Sequence, residues 1–590
     1  MKPISNSDIV KLFNEMAALL DMKEVPFKPR AYERAAYSIE ALSENIGEIY
    51  KKGGLKALEN IPGVGQGIAE RIEEYIKTGE IEDYQKLKKK FPVDVGGLMR
   101  IEGIGPQTIK RLYKELGVKN IAGLEAAAKH GRIGKLKGMG EKTEQKILKS
   151  IGFLEKSVGR FLLYKALPLA RGIADALKAV AGVKRVEFAG SVRRMQETVG
   201  DLDFLAISTR PEKVMDFFVA LPEVESVLAK GLTKSSVRLN IGIDADLRVL
   251  PPESFGAAWQ YFTGDKYHNV ALREIAIKKG YKLNEYGLFK YQKSNIKSQN
   301  DISKIKNDWT LVGGKTEEEI YEALGLAWMP PEIRTNQGEL NAAANNELPK
   351  LIGYEDLKGD LQVQTDWTDG GNSIKEMAEA AKMRGLEYIC ITDHTKSLGV
   401  AGGLDEKKIA RQMAEIDSIA KLVSGIKILK GAEVNILKDG RLDIDDETLA
   451  KLDVVGASVH SNFGMSELDM TERIIRAVEN PHVDILFHPT GRIIQKREPY
   501  KVDMDKVVKT AKRTKTVLEI NAYPERLDLK DEYIRKAVAA GVKLAIDSDA
   551  HSVEHFKFLE YGIGQARRGW CEKKDLVNTR PWPEMKKMLK

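Results

Sequence analysis

The sequence predicts a multidomain protein in which a helical N-terminal part, an α+β middle part and an α/β C-terminal part follow one another. Three glycine-rich turns, each followed by a helical pattern, occupy the first 150 residues. The middle part contains a short apolar run, 204–207, that reads as a buried strand. After residue 353, short apolar strands alternate with helical stretches, as in a barrel-like α/β domain. A chain of 590 residues has room for roughly three or four such domains.

Composition and charge exclude some classes of protein. The net charge is +8, and a basic excess in residues 101–150 suits a polyanion, although most charged stretches are only solvated faces. The two cysteines exclude a disulfide framework and indicate a reducing compartment. There is no long apolar run and no signal-peptide pattern, so we expect a soluble, cytoplasmic monomer with no membrane partner.

The glycine-rich turns predict sites for anions. Gly63 and Gly65 lie in the first turn and Gly103 and Gly105 in the second, and a third copy spans 136–148. The N–H groups of such a turn and of the following helix can hold a phosphate. One G-x-G turn is more often only structural, but three in series resemble helix-hairpin-helix modules. The resemblance implies that residues 86–150 bind DNA phosphates without reading the base sequence.

Residues 1–85 resemble the small lyase domain of the family X DNA polymerases, through N-S-D-I-V, the spacing of Lys28 and Tyr32, and I-P-G-V-G. The resemblance implies a helical domain that binds a DNA 5′-phosphate, with Lys28 and Arg71 as ligands. Arg71 stands where the family has its Schiff-base lysine. Because an arginine stays protonated and cannot form an imine, we expect phosphate binding without deoxyribose-phosphate lyase activity.

The middle part contains F-A-G-S-V-R-R-M-Q-E-T-V-G-D-L-D-F-L-A-I-S, from Phe188 to Ser208. Residues i and i+2 of a strand face the same side, so Asp201 and Asp203 project together and repel unless a cation lies between them. Mg²⁺ or Mn²⁺ is the natural partner of such oxygens. Backbone N–H groups at Gly190-Ser191 and the fork of Arg194 can contact phosphate oxygens. The pattern therefore indicates metal-assisted phosphoryl transfer.

A lone D-x-D motif can simply be the exposed end of a strand, but G-S-x-R-R…G-D-L-D resembles the nucleotidyltransferase palm of the family X DNA polymerases. The resemblance assigns residues 151–255 to a palm and implies a third aspartate on a neighbouring strand, which Asp246 fits. It implies that the three aspartates hold two metal ions, and that Gly190, Ser191, Arg194 and Gly200 bind the incoming nucleotide.

Residues 256–330 resemble the subdomain of the same family that binds the nascent base pair, through Y-F-T-G-D-K-Y-H-N. The resemblance implies that this subdomain contacts the nucleotide and the template. The alternative for the two aromatic residues is ordinary core packing. Asp244 departs from the family, which often has a basic residue at that position. The residues implied in nucleotide binding are Tyr261, Phe262, Gly264 and Asn269, and Arg273 is implied in template binding.

Residues 331–350 are predicted to be a linker, because small and polar residues dominate them. In residues 351–590, acidic and imidazole groups stand at successive strand ends, where the chemistry of a barrel is found. A single histidine at a strand end is usually structural. Six such groups in series predict a site for Mn²⁺, Zn²⁺ or Fe²⁺.

The order of these motifs resembles the PHP phosphoesterase domain, a distorted (β/α) barrel that supplies nuclease activity in bacterial and archaeal family X polymerases. The first motif departs from the family, because Gln362 and Gln364 replace two histidines. An amide oxygen is a weaker ligand than imidazole, so we expect a weak or absent 3′–5′ exonuclease or other phosphoesterase. The alternative is a fully active two-metal nuclease. The remaining candidate ligands are Asp369, His394, Glu433, His460, His488, Asp549 and His551.

Taken together, these resemblances predict a DNA-directed DNA polymerase that fills short gaps in DNA repair, with gapped or primer-template DNA and dNTPs as partners. Two other classes stay open at this stage. One is a template-independent or RNA-type nucleotidyltransferase, against which the helix-hairpin-helix copies and the Tyr261–Arg273 segment argue. The other is a nuclease or phosphatase with a relic polymerase, against which the three aspartates argue.

Overall fold

A computed structural model describes residues 6–41, 45–61, 63–101, 103–156, 159–291 and 309–590. The three predicted parts are present, and the predicted fold class is confirmed. Residues 62 and 102, within two of the predicted turns, and 292–308, within the predicted 256–330 subdomain, lie outside the described residues. None of the helices in the described ranges has the length and apolar content that crossing a bilayer requires.

The N-terminal part consists of helices that share one apolar core. Within the described residues, helix α1 begins at Asn6. The nine helices described here are α1 (Asn6–Met22), α2 (Lys28–Ala41), α3 (Ile46–Glu59), α4 (Gln66–Thr78), α5 (Glu82–Lys90), α6 (Val95–Leu98), α7 (Pro106–Leu116), α8 (Ile121–Lys129) and α9 (Glu141–Lys156).

The predicted turns adopt a backbone that favours glycine. Gly63 and Gly103 have φ of 76° and 79°, in the left-handed region that residues with a Cβ rarely adopt. Gly65 and Gly105 then form the N-caps of α4 and α7 in extended conformation, and a Cβ on either would meet open space. The two turns therefore present backbone N–H groups at helix N-termini, as the sequence predicts.

The middle part is built on a five-stranded sheet of order β2-β4-β7-β6-β5, in which only β4 and β7 run parallel. Phe204 and Ala206 on one face of β4 share a core with α10 and α12, and Leu205 and Ile207 on the other face pack against Phe255 and Ala258. Burial on both faces explains the apolar run predicted at 204–207. The elements are β1 (Phe161–Leu162), α10 (Leu163–Lys178), β2 (Val183–Phe188), α11 (Gly190–Arg193), β3 (Thr198–Val199), β4 (Asp201–Ser208), α12 (Pro211–Val219), β5 (Val224–Lys230), β6 (Lys234–Leu239) and β7 (Asp244–Val249).

A helical hairpin and a three-stranded sheet follow. A short 3-10 helix, Pro252–Ser254, leads into this region, and a second one, Pro331–Ile333, leaves it. The elements are α13 (Phe255–Thr263), α14 (Lys266–Lys278), β8 (Tyr281–Asn284), β9 (Gly287–Tyr291), β10 (Trp309–Gly313), α15 (Glu317–Ala323) and α16 (Glu339–Asn345).

The segment predicted as a linker, 331–350, is folded and packed rather than extended. It contains α16, and Arg334 within it is completely buried. Arg334 donates two hydrogen bonds to Glu317, at 2.7 and 2.9 Å, and Glu339 accepts one from buried His268 at 2.8 Å. The polar composition of 331–350 suggested a solvated segment. Arg334 and Glu339 are nevertheless buried, because each pairs with an opposite charge or a hydrogen-bond donor.

The C-terminal part is a nearly closed barrel of seven parallel strands in chain order. The last strand returns to the first through a bridge between Val363 and Ala550. The short apolar strands that the sequence predicts after residue 353 are present. The elements are β11 (Gly359–Val363), α17 (Ile374–Met383), β12 (Tyr388–Ile391), α18 (Glu406–Ala420), β13 (Lys427–Asn435), α19 (Asp446–Leu449), β14 (Val454–Ser458), α20 (Glu467–Val478), β15 (Ile485–Leu486), α21 (Met504–Thr514), β16 (Val517–Asn521), α22 (Asp531–Ala540), β17 (Leu544–Asp547), α23 (Leu559–Arg568) and α24 (Trp582–Met585).

Strand β11 was not among the predicted strands, although it carries Gln362. Its Asp360 and Gln362 are both fully buried and point polar groups into the barrel, so the segment lacks the apolar run that reveals the other strands. The barrel and the middle part share an apolar core and are joined by ion pairs. Arg492 donates to Glu197 at 2.7 Å, and Arg171 donates to Glu560 at 3.0 Å.

Glu317 is the anion that allows Arg193 and Arg334 to be buried together. It accepts four hydrogen bonds from the two guanidinium groups and one from Trp328. Burial opposes its ionisation, but the two arginines hold the pKa of Glu317 far below its ordinary value of 4.5. We expect Glu317→Gln to lower the free energy of unfolding at pH 7 by about 3 kcal/mol, because two buried cations lose their partner. Urea unfolding followed by circular dichroism measures the change.

The matched control is Glu318→Gln, which removes an exposed carboxylate from the same helical turn and should change stability by less than about 0.5 kcal/mol. A carboxylate with a lowered pKa stabilises the fold above its unfolded pKa and loses that contribution as the pH falls. The difference in the free energy of unfolding between wild type and Glu317→Gln should therefore be largest above pH 4.5 and should decrease as the pH falls below that value. A difference in unfolding free energy that increases in acid, or one no larger than that of the control, would contradict the role of Glu317 as the partner of the two buried arginines.

Candidate active sites

Three carboxylates meet at one end of the middle sheet. Asp201 and Asp203 alternate with buried Leu202 on β4, so both project from the open face. Asp203 lies directly opposite Asp246 in the register of β4 with β7, where neighbouring strands are about 4.8 Å apart. Asp201 is exposed, whereas Asp203 and Asp246 are half-buried. The structure thus brings together the three aspartates that the sequence singled out.

The charges of this cluster are only partly compensated. Burial, followed by the negative charges of Asp201 and Asp246, raises the pKa of Asp203 to about 7. Lys234, which the sequence did not identify, lies 3.1 Å from Asp246. A cluster of carboxylate oxygens with excess negative charge is the donor set that Mg²⁺ and Mn²⁺ prefer. The residues present therefore fit a divalent metal ion.

The neighbouring turn is built around Gly190. Its φ is 67°, and a Cβ at this position would lie 2.8 Å from an Asp203 carboxylate oxygen. Only glycine therefore leaves room for the carboxylate. Ser191 follows as a half-buried residue of α11. The turn thus brings backbone and a hydroxyl group close to the aspartates.

Arg194 and Arg193 have different surroundings. Arg194 donates to the carbonyl of Thr263 at 2.5 Å, while its buried Nε has no partner among the described residues. Burial lowers the pKa of Arg194 to about 10, so it stays charged at neutral pH. Arg193 instead donates to Glu317 and stacks on Trp259. Of the predicted Arg-Arg pair, Arg194 is therefore the one whose buried Nε lacks a partner among the described residues.

The fourth carboxylate, Asp244, is paired and does not add to the cluster. It lies opposite Asp201 in the register and forms an ion pair with Arg238 across the neighbouring strand. Gly200, which immediately precedes Asp201, lies against the guanidinium group of Arg160, 3.5 Å from where its Cβ would be. Arg160 in turn donates to Thr198 at 2.9 Å.

The residues of the Y-F-T-G segment lie together on α13 and α14. The rings of Tyr261 and Phe262 meet edge to face, with centroids 5.2 Å apart. Asn269 donates to the carbonyl of Tyr261 at 2.6 Å and lies against Gly264, where a Cβ would be 2.5 Å from its Oδ1. Arg273 is exposed and donates only to the carbonyl of Asn269. The side chain of Asn269 therefore fixes the conformation of this segment.

The two predicted phosphate ligands of the N-terminal part differ in availability. Lys28 is exposed at the start of α2. Arg71 forms ion pairs with Asp83, at 2.7 Å, and with Glu74, at 3.5 Å. Its guanidinium group is therefore largely occupied within its own domain.

A cavity of about 490 Å³ lies beside the first glycine-rich turn. Gly63 and Gly65 line it together with Phe27, Arg30 and Arg34. The sequence did not identify the two arginines, although their i, i+4 spacing on a helix would have placed them on one face.

The predicted ligands of the barrel converge at the carboxyl ends of its strands, and they form two groups that share His394. In the first group, Asp369 lies 3.6 Å from His394 and 3.8 Å from His551. Asp549 lies next to the first group, 3.8 Å from His551.

In the second group, Glu433 lies 3.4 Å from His394 and 3.1 Å from His460. His488 extends it, with Nε2 2.9 Å from a Glu433 oxygen. Asp393 does not join either group, because it accepts hydrogen bonds from Thr365 and Gln412.

The two glutamines of the first motif are buried beside Glu433. Gln362 and Gln364 both donate to the same Glu433 oxygen, at 3.1 and 2.9 Å. Gln362 also accepts from Asn521, whereas the buried Oε1 of Gln364 has no partner among the described residues. Two amide donors therefore cover one carboxylate oxygen of Glu433, while the other oxygen faces His460 and His488.

Charges in the barrel are strongly coupled. Burial opposes ionisation of Glu433, but His394 and His460 hold its pKa well below the ordinary value. Burial likewise opposes protonation of His551, but Asp549 and Asp369 raise its pKa. A mixed set of imidazole and carboxylate donors fits Mn²⁺ or Zn²⁺.

Three buried carboxyl groups behind the ligands escaped the sequence analysis. Burial raises the pKa of Asp360 to about 7 and lifts those of Glu519 and Asp547 well above their ordinary values. Each lies within a strand, whereas the predicted ligands were recognised by their positions at strand ends.

Family models match four segments of the chain. They are "DNA polymerase beta thumb" over 258–335, "Helix-hairpin-helix domain" over 4–81, "SAM-like Helix-hairpin-helix tandem" over 95–152, and "PHP domain" over 360–523.

Relatives match the whole chain or its C-terminal part. The chain is 36% identical over 586 residues to "DNA polymerase/3'-5' exonuclease PolX" of Bacillus subtilis (strain 168), covering 99% of each chain. Over 190 residues it is 35% identical to a "Probable phosphatase" of Thermoanaerobacter sp. (strain X514), covering 30% of this chain and 73% of that one. The predicted family is confirmed. The chain therefore belongs to the family X DNA polymerases that carry a C-terminal PHP domain.

Proposed function

We propose that this chain is a template-directed DNA polymerase that fills short gaps during DNA repair, with a PHP domain of weakened 3′–5′ exonuclease or phosphoesterase activity. The observation that carries the polymerase proposal is the register of β4 with β7, which sets Asp246 beside Asp203, on the face that Asp201 shares. Membership of the family X polymerases and the name of the Bacillus subtilis relative support the same reaction.

Asp201 and Asp203 would hold the metal of the nucleotide, and all three aspartates the metal at the primer end. Two such ions lower the pKa of a primer hydroxyl and balance charge on the reacting phosphate. The protein itself contributes the fixed positions of the carboxylates, since β4 and β7 are held in register by the sheet. Lys234 offsets part of the charge of Asp246.

The nucleotide would lie between the Gly190 turn and α13. Ser191 and the backbone at Gly190 and Gly200 would contact phosphate oxygens, and the free Nε of Arg194 would donate to the departing pyrophosphate. Tyr261 and Phe262 would pack under the sugar and crowd its 2′ position. Gly264 allows their helix to end against Asn269.

Contacts with DNA would come from three places. Asn269 would test the minor-groove edge of the new pair, and Arg273 would contact the template. The turns at Gly63, Gly65, Gly103 and Gly105 would hold backbone phosphates. Lys28 would bind a 5′-phosphate, whereas Arg71 is expected to contribute less than predicted, because Asp83 and Glu74 occupy it. Neither forms an imine in this proposal.

The PHP proposal rests on Glu433. In place of two imidazole ligands, Gln362 and Gln364 donate to one of its oxygens, so a cation there would have to displace both amides. The alternative, a fully active two-metal nuclease, is favoured by a separate observation. Asp369, His394 and His551 form one group, and His394, Glu433 and His460 form another, so two ions can share His394.

Primer extension on a one-nucleotide gap tests the polymerase proposal. We expect Mg²⁺-dependent addition of one templated nucleotide, faster when the downstream strand carries a 5′-phosphate. Asp201→Asn, Asp203→Asn and Asp246→Asn should each lower the single-turnover rate by about 10³-fold or more, because no other group replaces a metal ligand. Asp244→Asn is the matched control, since its carboxylate pairs with Arg238, and it should retain most of the rate. Untemplated addition, or full activity of an aspartate variant, would contradict the proposal.

The raised pKa of Asp203 predicts that removing its carboxylate stabilises the metal-free protein, whereas removing the carboxylate of Glu317 destabilises it. A carboxyl whose folded pKa lies above its ordinary value of 3.8 destabilises the metal-free fold as pH rises from that value to about 7. Asp203→Asn should therefore stabilise the protein in EDTA at pH 8 by about 1–3 kcal/mol and leave it unchanged near pH 4. Unfolding in EDTA at both pH values tests this, with Asp244→Asn as the control that gains nothing. Equal stability of Asp203→Asn and wild type at pH 8 would show that the carboxylates do not repel.

Replacing the two amides by imidazoles tests the PHP proposal. Gln362→His combined with Gln364→His should raise Mn²⁺-dependent degradation of single-stranded DNA by about tenfold or more, because Glu433 is freed and two stronger ligands are added. The gain should disappear with His551→Ala and persist with Asp203→Asn. If the wild type already degrades DNA strongly and loses that activity with His551→Ala, the two-metal alternative is correct.

A further inference from the structure

Two arginines on α2 lie at the edge of the PHP site. Arg30 and Arg34 are one helical turn apart, so they face the same way. Both are exposed, and neither has a hydrogen-bond or ion-pair partner in the part of the chain that the structure describes. Arg193 and Arg492, by contrast, are held by carboxylates. The guanidinium groups of Arg30 and Arg34 are therefore available to a ligand.

The two arginines line a cavity of about 710 Å³ whose far wall belongs to the PHP domain. That wall contains Asp369, Asp549 and His551, which are candidate metal ligands. The same two arginines also border the smaller cavity beside Gly63. The aliphatic part of Arg34 lies on Gly63, where a Cβ would be 2.7 Å from Arg34 Cγ, so this side chain runs along the glycine-rich turn.

We propose that Arg30 and Arg34 bind backbone phosphates of a single DNA strand that enters the PHP pocket, so that helix α2 completes the binding site of the C-terminal domain. A guanidinium group matches two oxygens of a phosphate at once, and two such groups on one helical face follow a strand rather than a single ion. Their charge also lies opposite a wall that carries carboxylates, which by itself would repel DNA.

This inference rests on the proposed nuclease and deepens it, because it assigns to the single-stranded substrate two binding residues outside the domain with the metal ligands. The arginines are binding residues and not catalytic ones, since nothing places them at a reacting atom. Their loss should weaken binding of the strand and leave the palm intact.

Binding of a fluorescein-labelled ten-residue oligothymidylate with a 3′-terminal 4-thiothymidine tests the inference on the full chain. Anisotropy measures affinity, and ultraviolet crosslinking with peptide mapping reports where the 3′ end lies. We expect Arg30→Ala combined with Arg34→Ala to weaken binding by about tenfold or more, since each lost contact is charged. Crosslinks to the PHP wall around Asp549 and His551 should disappear in this variant. Arg30→Lys combined with Arg34→Lys should be intermediate, because the charge stays and the fork is lost.

The matched control is Lys89→Ala combined with Lys90→Ala, which removes the same charge from exposed positions of α5 that line neither cavity. It should bind and crosslink as the wild type does. An affinity of the arginine variant within twofold of the control, or PHP crosslinks that persist in it, would overturn the inference. So would crosslinks that map only to the N-terminal cavity.

The same preparations separate this inference from the proposed functions. Primer extension by the arginine variant on an ungapped template should equal that of the wild type, which shows that the protein is folded. Absence of extension by the wild type would refute the polymerase proposal, and absence of hydrolysis would refute the nuclease, while the binding and crosslinking results judge the arginines without either.

Discussion

The parallel pairing of β4 with β7 is the interaction on which the chemistry of the middle part depends. Only this pair in the five-stranded sheet is parallel, and its register sets Asp203 beside Asp246. The backbone hydrogen bonds of the sheet thus hold like charges close together, at a cost that appears as the raised pKa of Asp203. Carboxylates that repel one another in the metal-free protein provide a strong binding site for a divalent cation.

The barrel resolves a similar problem in another way. Glu433 is completely buried at the centre of its site, yet three histidines and two amides lie against its carboxylate oxygens. The three aspartates of the middle sheet have few protein partners and are open to a metal ion, whereas the oxygens of Glu433 already have protein partners. We therefore expect metal ions to bind strongly at the polymerase centre and more weakly at the phosphoesterase centre of the same chain.

The connections between the parts place residues where local sequence gives no hint of them. Glu317 binds Arg193 of the palm and Arg334 of the following segment, so one carboxylate joins three stretches of chain. Arg492, four residues after His488, pairs with Glu197, four residues before Asp201. The loop of one site is therefore attached to the loop of the other. Helix α2 brings Arg30 and Arg34 to the PHP wall in the same way.

The sequence by itself determined the family, the order of the parts, and the residues that carry chemistry at strand ends. Asp201 and Asp203 directly precede the apolar run 204–207, whereas the histidines of the barrel follow apolar strands, and both patterns are local. Only the tertiary structure decided that 331–350 is packed, that Arg71 is occupied by Asp83, and that β11 closes the barrel. It alone paired Arg193 with Glu317 and left Arg194, Arg30 and Arg34 with free donors. The reason is that a charged side chain looks alike in sequence whether it meets solvent, a ligand or a distant opposite charge, and the fold alone determines which of these it meets.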